Sequence, residues 1–179
     1  MKILLTIATL PALGLCPVGA FAQTAPVTVT AQMDQLKVFE GTWTCSGDQG
    51  HSLYGSSHSV ETAVTGTADL GGAWIRVRYE ENKTAENEHP TAGVYSYSYD
   101  PAAKQFVAIW TDSLGGWGTE ISSGWQGGTM VLVGDYNTDG QKIGVRDTFQ
   151  TTSAGGLNHV SELLFNGQSA KLHAERCHR

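Results

Sequence analysis

Apolar and polar residues alternate over most of this chain, and a period of two is typical of β-strands with one buried face. Before the alternation begins, Met33, Leu36 and Phe39 are spaced for one face of a short helix, which Gly41 ends. The β-rich runs that follow span residues 43–46, 59–68, 73–80, 93–99, 106–113, 120–125, 129–136, 143–151, 159–165 and 171–177. The pattern predicts one short N-terminal helix and about ten strands.

Residues with turn chemistry separate these runs. Asp100-Pro101 favours a type I turn, Thr138-Asp139-Gly140 is typical of a hairpin, and three Gly-Gly pairs supply positive φ angles. Short strands joined by tight turns, with no helices between them, predict an all-β domain. Either an up-and-down barrel or a sandwich satisfies this pattern.

The first 22 residues have the pattern of a cleaved signal peptide. Lys2 precedes an apolar stretch, and Ala20 and Ala22 supply the small residues of a signal peptidase site, so the mature chain is expected to begin at Gln23. The apolar stretch is shorter than the about 20 residues that a membrane-spanning helix needs. Lipid attachment at Cys16 is the less favoured alternative. We therefore expect a periplasmic or secreted protein.

Removal of residues 1–22 leaves 157 residues, enough for one domain with a buried core. We expect a flexible leader over residues 23–31 and a single β-barrel domain over residues 32–179. The mature chain carries ten basic and 17 acidic residues, a net charge of −7, and has no basic stripe. Nucleic acid and anionic membranes are therefore not expected as partners, and the oligomeric state stays open.

Two cysteines, Cys45 and Cys177, remain in the mature chain. In an oxidising compartment such a pair is expected to form a disulfide. Alternation argues against it, because Cys177 faces outward if Leu172, Ala174 and Arg176 face the barrel interior, whereas Cys45 faces inward. A bulge in the last strand can reconcile the two.

An ordered series of motifs carries a family resemblance. The motifs are Leu36-x-x-Phe39-Glu40-Gly41-Thr42-Trp43, Gly66-Thr67-Ala68, Gly72-Ala73-Trp74-Ile75 and Tyr99-Asp100-Pro101-x-x-x-x-Phe106-Val107-x-x-Trp110-Thr111-Asp112-Ser113. Over roughly residues 33–177 the chain resembles the bacterial family called domain of unknown function 1579. The first motif, a short helix that leads into Gly-x-Trp, resembles the N-terminal segment of calycin barrels (lipocalins and fatty-acid-binding proteins). The resemblance implies an antiparallel up-and-down barrel with an internal cavity, and no established reaction. It also implies a clasp in which Arg176 of the last strand packs across Trp43.

Strand alternation selects the polar residues expected inside such a barrel. Trp110 and Asp112 share one strand face, and Arg146 and Glu162 can form an interior ion pair, since buried charges are normally paired. The opposite face of the strand that carries Glu162 can equally be the inner one. The predicted ligand-binding residues are Tyr97, Trp110, Asp112, Arg146 and Glu162. A structure with Arg146 and Glu162 both on the solvent face would contradict this site.

Three classes of function stay open. Binding of a small, partly apolar molecule in the cavity is favoured, because no catalytic motif is present. The second class is an enzyme that uses Asp112, Glu162 and Arg146 as acid–base and charge-stabilising groups. The third is a structural or interaction module whose barrel is filled by side chains.

No metal ion and no cofactor are expected. A calcium-loop pattern begins at Asp135, but Arg146 stands where the loop's bidentate glutamate belongs. Haem is the alternative cofactor, by analogy with nitrobindin-like barrels that hold haem through a histidine near the end of the chain. His159 and His173 are the residues that this analogy selects.

Overall fold

A computed structural model describes residues 30–51 and 55–179 of the chain. The predicted signal peptide and most of the predicted leader lie outside the described residues. Residues 30 and 31, assigned above to the leader, belong instead to the N-terminal helix. Within the two described ranges, no helix has the length and apolar character needed to cross a membrane.

The described residues form one helix and a ten-stranded closed barrel. Helix α1 (Thr30–Leu36) continues into a 3₁₀ turn (Lys37–Phe39), and a second 3₁₀ turn (Leu70–Gly72) joins the second and third strands. The strands are β1 (Gly41–Gln49), β2 (His58–Asp69), β3 (Trp74–Glu81), β4 (Ala92–Asp100), β5 (Gln105–Asp112), β6 (Trp117–Ser122), β7 (Thr129–Thr138), β8 (Gln141–Thr151), β9 (Leu157–Phe165) and β10 (Gln168–His178). Each strand pairs antiparallel with the next, and β1 pairs with β10. The predicted up-and-down barrel with a short N-terminal helix is confirmed.

Helix α1 and the turn after it close one end of the barrel. Met33, Leu36 and Phe39, predicted to share a face, are all buried. The Phe39 ring stacks on Tyr97 with centroids 4.7 Å apart and meets Phe149 edge-on at 5.0 Å. Because this apolar face is buried among barrel residues, it fixes the helix over the opening. We call this the closed end; in an up-and-down barrel the β1–β2, β3–β4, β5–β6, β7–β8 and β9–β10 loops lie at the opposite, far end.

The sixth strand begins and ends three residues earlier than predicted. Gly124 has a φ of 98°, a conformation that residues with a side chain rarely adopt, so the strand ends before it. Trp125, predicted to be the strand's last residue, instead lies over the closed end. Its Nε1 donates a hydrogen bond to the backbone oxygen of Gln35 at 3.0 Å, and its ring lies 6.1 Å from Phe39.

The β7–β8 connection is a tight hairpin, as predicted. Asp139 and Gly140 both have positive φ angles, 48° and 72°, as a type I′ turn requires. Asp135 pairs with Lys142 across the hairpin, with Oδ2 and Nζ 2.8 Å apart. The turn therefore accounts for the acidic residues that resemble a calcium loop.

The predicted disulfide joins Cys45 to Cys177, which are directly opposed in β1 and β10. The pairing of β10 with β9 shifts between Lys171 and His173, a bulge that lets both Leu172 and His173 face the interior. Beyond the bulge the inner face continues through Glu175 and Cys177. The interior face assumed above for Ala174 and Arg176 is therefore wrong, and Cys177 shares the inner side of the barrel with Cys45.

The same shift corrects the predicted clasp. Arg176 is opposed to Ser46 and is exposed on the outer surface. The cation over Trp43 belongs to Arg179, whose Cζ lies 4.4 Å from the ring centroid. The Arg179 guanidinium also donates to the backbone oxygen of Glu40 at 3.0 Å. The clasp resembles the calycin one in kind, but the residue after the last strand supplies the arginine.

Candidate functional site

The barrel encloses a cavity of about 240 Å³ between the helix and the far end. Aromatic and aliphatic side chains line it toward the closed end, among them Phe39, Trp43 and Phe149. Polar side chains line it toward the far end, among them Gln49 and Glu81. A small, mostly apolar cavity with a few polar groups is the usual form of a small-molecule site.

A row of stacked rings forms one wall of the cavity. Tyr95 stacks on Tyr97 at 5.6 Å and on Trp110 at 5.7 Å, and Trp110 stacks on Tyr136 at 4.7 Å. Gly118 makes room for the row, because a Cβ there would lie 2.4 Å from the indole nitrogen of Trp110. Tyr97 and Trp110 thus lie at the cavity, where the sequence predicted them.

Asp112 also lies at the cavity, near the far end. Its Oδ1 accepts hydrogen bonds from the backbone nitrogens of Leu114 and Gly116, both at 2.9 Å. Its Oδ2 accepts one from the Tyr136 hydroxyl at 3.1 Å. Asp112 therefore holds both the β5–β6 turn and one ring of the aromatic row.

Arg146 and Glu162 are on the outside of the barrel, which contradicts the site predicted around them. They are directly opposed in β8 and β9, and Arg146 Nη2 lies 2.7 Å from Glu162 Oε2. Their neighbours Val145 and Leu163 face the cavity instead. The prediction failed because β9 carries apolar residues on both faces, and the face that holds Val160, Glu162 and Leu164 is the outer one. Asp112, Arg146 and Glu162 therefore do not converge on an acid–base site.

The inner faces of β6, β8, β9 and β10 carry a set of titratable residues outside the ligand site predicted from the sequence, although the haem analogy selected two of them, His159 and His173. We call this set the inner cluster; its members are Glu120, Asp147, His159, His173 and Glu175. Val145 and Phe149 flank Asp147 at the two-residue spacing of one strand face, a signal that places Asp147 inside. No comparable signal marks His173, since it follows the bulge.

One half of the inner cluster is centred on Asp147, which is 1% exposed. The Tyr95 hydroxyl donates to its Oδ2 at 3.2 Å, and Nε2 of His159 lies 3.4 Å from its Oδ1. Burial alone would raise the pKa of Asp147, but the neighbouring His159, Ser161 and Tyr95 stabilise its charged form and outweigh burial, so the pKa lies below its ordinary value. Asp147 is therefore ionised at neutral pH.

Glu120 is the second buried carboxyl near Asp147. It is 2% exposed, and neither of its oxygens has a hydrogen-bond partner among the described residues. Burial and the neighbouring charge of Asp147 raise the pKa of Glu120 to about 10. Glu120 therefore holds a proton at neutral pH while Asp147 does not, a division typical of carboxyl pairs in unlike environments.

The other half of the inner cluster joins β1, β2 and β10. His173 Nε2 lies 3.1 Å from Glu175 Oε2, and His173 Nδ1 lies 3.0 Å from Gln49 Oε1. The Thr62 hydroxyl donates a short hydrogen bond to Glu175 Oε1. Burial opposes the charge on both partners, yet their mutual attraction prevails: the pKa of His173 is raised and that of Glu175 lowered.

The residues present do not fit haem. His159 and His173 both line the cavity, as the analogy required. However, both side chains are at most 15% exposed, so the porphyrin itself would have to fit inside the cavity. A cavity of about 240 Å³ is also below the roughly 300–1,000 Å³ of sites for drug-sized ligands, and a porphyrin is no smaller than such ligands.

Comparison with known proteins agrees with the barrel. The structure is similar to the crystal structure of Rv2717c from M. tuberculosis, with a TM-score of 0.64 and 12% sequence identity over 82% of this chain and 96% of that chain. At this identity the likeness shows a shared fold. No curated protein matches the chain. The family model described as "Protein of unknown function (DUF1579)" matches residues 28–176, and the chain belongs to that family.

Proposed function

We propose that this protein is an exported carrier or sensor that binds a small, partly apolar molecule in its barrel cavity. The observation that carries the proposal is the cavity itself, about 240 Å³, with the aromatic row on one wall. Polar groups of the inner cluster, His159, His173 and Glu175, line the same space. Aromatic faces supply apolar contact area, and the few polar groups fix orientation.

The size of the cavity limits the ligand. It is below the usual range for drug-sized molecules, so the ligand is expected to be a compact molecule with one apolar ring or short chain and one polar end. A barrel filled by its own side chains would leave no such space. The cavity therefore supports a binding role over the filled-barrel alternative.

The disulfide supports an exported location. Disulfides form and persist in oxidising compartments, and the Cys45–Cys177 bond closes the barrel seam. The signal-peptide pattern in residues 1–22 points to the same compartment. We expect N-terminal sequencing of the periplasmic or secreted protein to begin at Gln23; retention of Met1 there would contradict export by cleavage.

Native mass spectrometry of protein purified from its own host, without denaturation, tests the binding proposal. We expect a fraction of the protein to carry a small molecule that organic extraction releases. In parallel, indole and p-cresol, each with an apolar ring and one polar group, are titrated against ligand-free protein and followed by ligand-observed NMR.

Two variants on β9 form a matched test and control for the titration. Leu163→Phe adds volume inside the cavity, whereas Leu164→Phe adds the same volume on the opposite strand face. Binding should weaken in L163F and persist in L164F, provided that both melt cooperatively. No co-purified molecule and no probe binding, or equal binding by L163F and wild type, would overturn the proposal.

A further inference from the structure

Three members of the inner cluster are arranged like the ligands of a metal ion. His159, His173 and Glu175 each offer one ligand atom, and these atoms all lie within 4.8 Å of one another. All three side chains are at most 15% exposed and line the cavity. Two histidines and one carboxylate form the protein ligand set of many catalytic zinc sites and of mononuclear iron(II) sites.

The contact between His173 and Glu175 needs a proton or a metal ion between the two groups. The amide oxygen of Gln49 can only accept a hydrogen bond, so Nδ1 of His173 carries the proton. A neutral ring then has its lone pair on Nε2, which faces the Glu175 carboxylate at 3.1 Å. Two acceptors repel at that distance. A proton on either group, or a metal ion between them, removes the repulsion.

The third residue favours a metal ion over a proton. A proton between His173 and Glu175 needs only those two partners, and His159 would have no part in it. An ion bonded at about 2.0–2.2 Å holds neighbouring ligand atoms about 3–3.5 Å apart, which matches the His173–Glu175 separation. His159 lies on the adjacent strand β9, with its ring centroid 5.6 Å from that of His173.

Each of the three residues also has the outer partner that metal ligands commonly have. Gln49 holds the far nitrogen of His173, and Thr62 holds the second oxygen of Glu175. Asp147 lies 3.4 Å from Nε2 of His159. Such partners orient the ligands and limit their movement before an ion arrives.

We propose that His159, His173 and Glu175 bind one divalent transition-metal ion, for which Zn²⁺ is the probe, on the wall of the cavity. Three protein ligands leave at least one coordination position open, and that position faces the cavity. The inference also extends the proposed function and rests on it in one respect, the identity of the organic ligand. That ligand would be a molecule whose polar end, such as a carboxylate, can coordinate the ion. Ion binding itself is measured without any organic ligand, so the two proposals can fail separately.

The disulfide has to be intact in the test. The sulfurs of Cys45 and Cys177 and a carboxylate oxygen of Glu175 all lie within 4.8 Å of one another, and as free thiolates the cysteines would supply a competing site. The experiment therefore uses the oxidised mature chain without an affinity tag, stripped with a chelator. Equilibrium dialysis against ZnCl₂ followed by elemental analysis should give one Zn²⁺ per chain.

Substitutions separate this site from surface histidines. Glu175→Gln keeps the shape of the side chain and removes its charge, and His159→Ala removes a ligand; each should weaken Zn²⁺ binding by more than about 100-fold. Gln49→Leu removes an outer partner and should cost about 10- to 100-fold. His51→Ala and His178→Ala change exposed histidines and should bind as the wild type does. Circular dichroism checks that every variant is folded.

Cobalt substitution and thermal denaturation supply two further measurements. Co²⁺ bound in a site of low coordination number gives visible bands much stronger than those of the hydrated ion, and Zn²⁺ should displace it. Zn²⁺ should also raise the melting temperature of the wild type and leave that of E175Q unchanged. The proposal is overturned if the oxidised wild type retains no Zn²⁺, if E175Q and H159A retain it equally well, or if retention follows His51 and His178.

Discussion

Cys45 and Cys177 are directly opposed across the seam where the first and last strands close the barrel, and a disulfide joins them. The bond links residues 132 positions apart in sequence, so it restricts almost the whole domain in the unfolded state. At that loop length the chain-entropy model predicts a stabilisation of about 4–5 kcal/mol.

We expect the Cys45→Ala/Cys177→Ala double variant to lose about 3–5 kcal/mol of unfolding free energy relative to the oxidised protein. Urea denaturation of both proteins measures the difference. Wild type treated with a reductant should approach the double variant. A loss below about 1 kcal/mol would mean that the seam is held by β1–β10 pairing and packing alone.

The Arg146–Glu162 pair should contribute little to stability. Both side chains are on the outer surface, and the Arg146 side chain is 39% exposed, so water screens the attraction. Arg146→Ala should cost less than about 1 kcal/mol, and a double-mutant cycle with Glu162→Ala should give a coupling that salt reduces. A loss of about 3 kcal/mol or more would indicate a buried ion pair and contradict this placement.

The clasp on Trp43 should depend on Arg179 and not on Arg176. A cation over a buried indole contributes about 0.5–2 kcal/mol, and Arg179 also holds the backbone before β1. Arg179→Ala should therefore lower the unfolding free energy by about 1 kcal/mol. Arg176→Ala is the matched control, because it removes the same charge from an exposed position on the outer face of β10. Equal losses in the two variants would contradict the assignment.

The fold could be predicted from the sequence because its signals are local. Alternation fixes strands, and turn residues such as Asp139 and Gly140 fix the hairpins between them. Apolar residues at positions 33, 36 and 39 also fix the helix and its buried face. Each of these signals lies within a few residues, so a single sequence is sufficient to read them.

The site could be predicted only in part, because the inside of this barrel is itself polar. Trp110 and Asp112 were placed correctly, since their strand has one clearly apolar face. On β8, Ile143, Val145 and Phe149 mark the inner face and place Asp147 inward, but the prediction followed the expected pairing of Arg146 with Glu162 instead. On β9 both faces carry apolar residues, so polarity did not show that Glu162 faces outward. The bulge before His173 depends on how β10 pairs with β9. The alternation of residues along β10 alone does not predict that pairing.

The buried carboxyl of Glu120 should make stability depend on pH. In the folded protein its pKa is raised to about 10 from an ordinary 4.5, because burial and Asp147 oppose its charge. Between these two values the folded state keeps a proton that the unfolded state has released. The contribution of Glu120 to the unfolding free energy is therefore largest below pH 4.5. It falls by about 1.4 kcal/mol per pH unit as the pH rises toward 10.

Glu120→Gln tests this dependence, since the amide has nearly the same shape and does not titrate. The unfolding free energy of E120Q minus that of the wild type should increase by about 3 kcal/mol between pH 7 and pH 9, a range above the ordinary titration of histidine. Taking the difference cancels every group that the two proteins share. Glu61→Gln, which changes an exposed carboxyl on β2, is the matched control and should show no such increase. If the E120Q difference is flat across this range, Glu120 is already ionised in the folded barrel, and Asp147 then cannot be the only ionised member of the carboxyl pair.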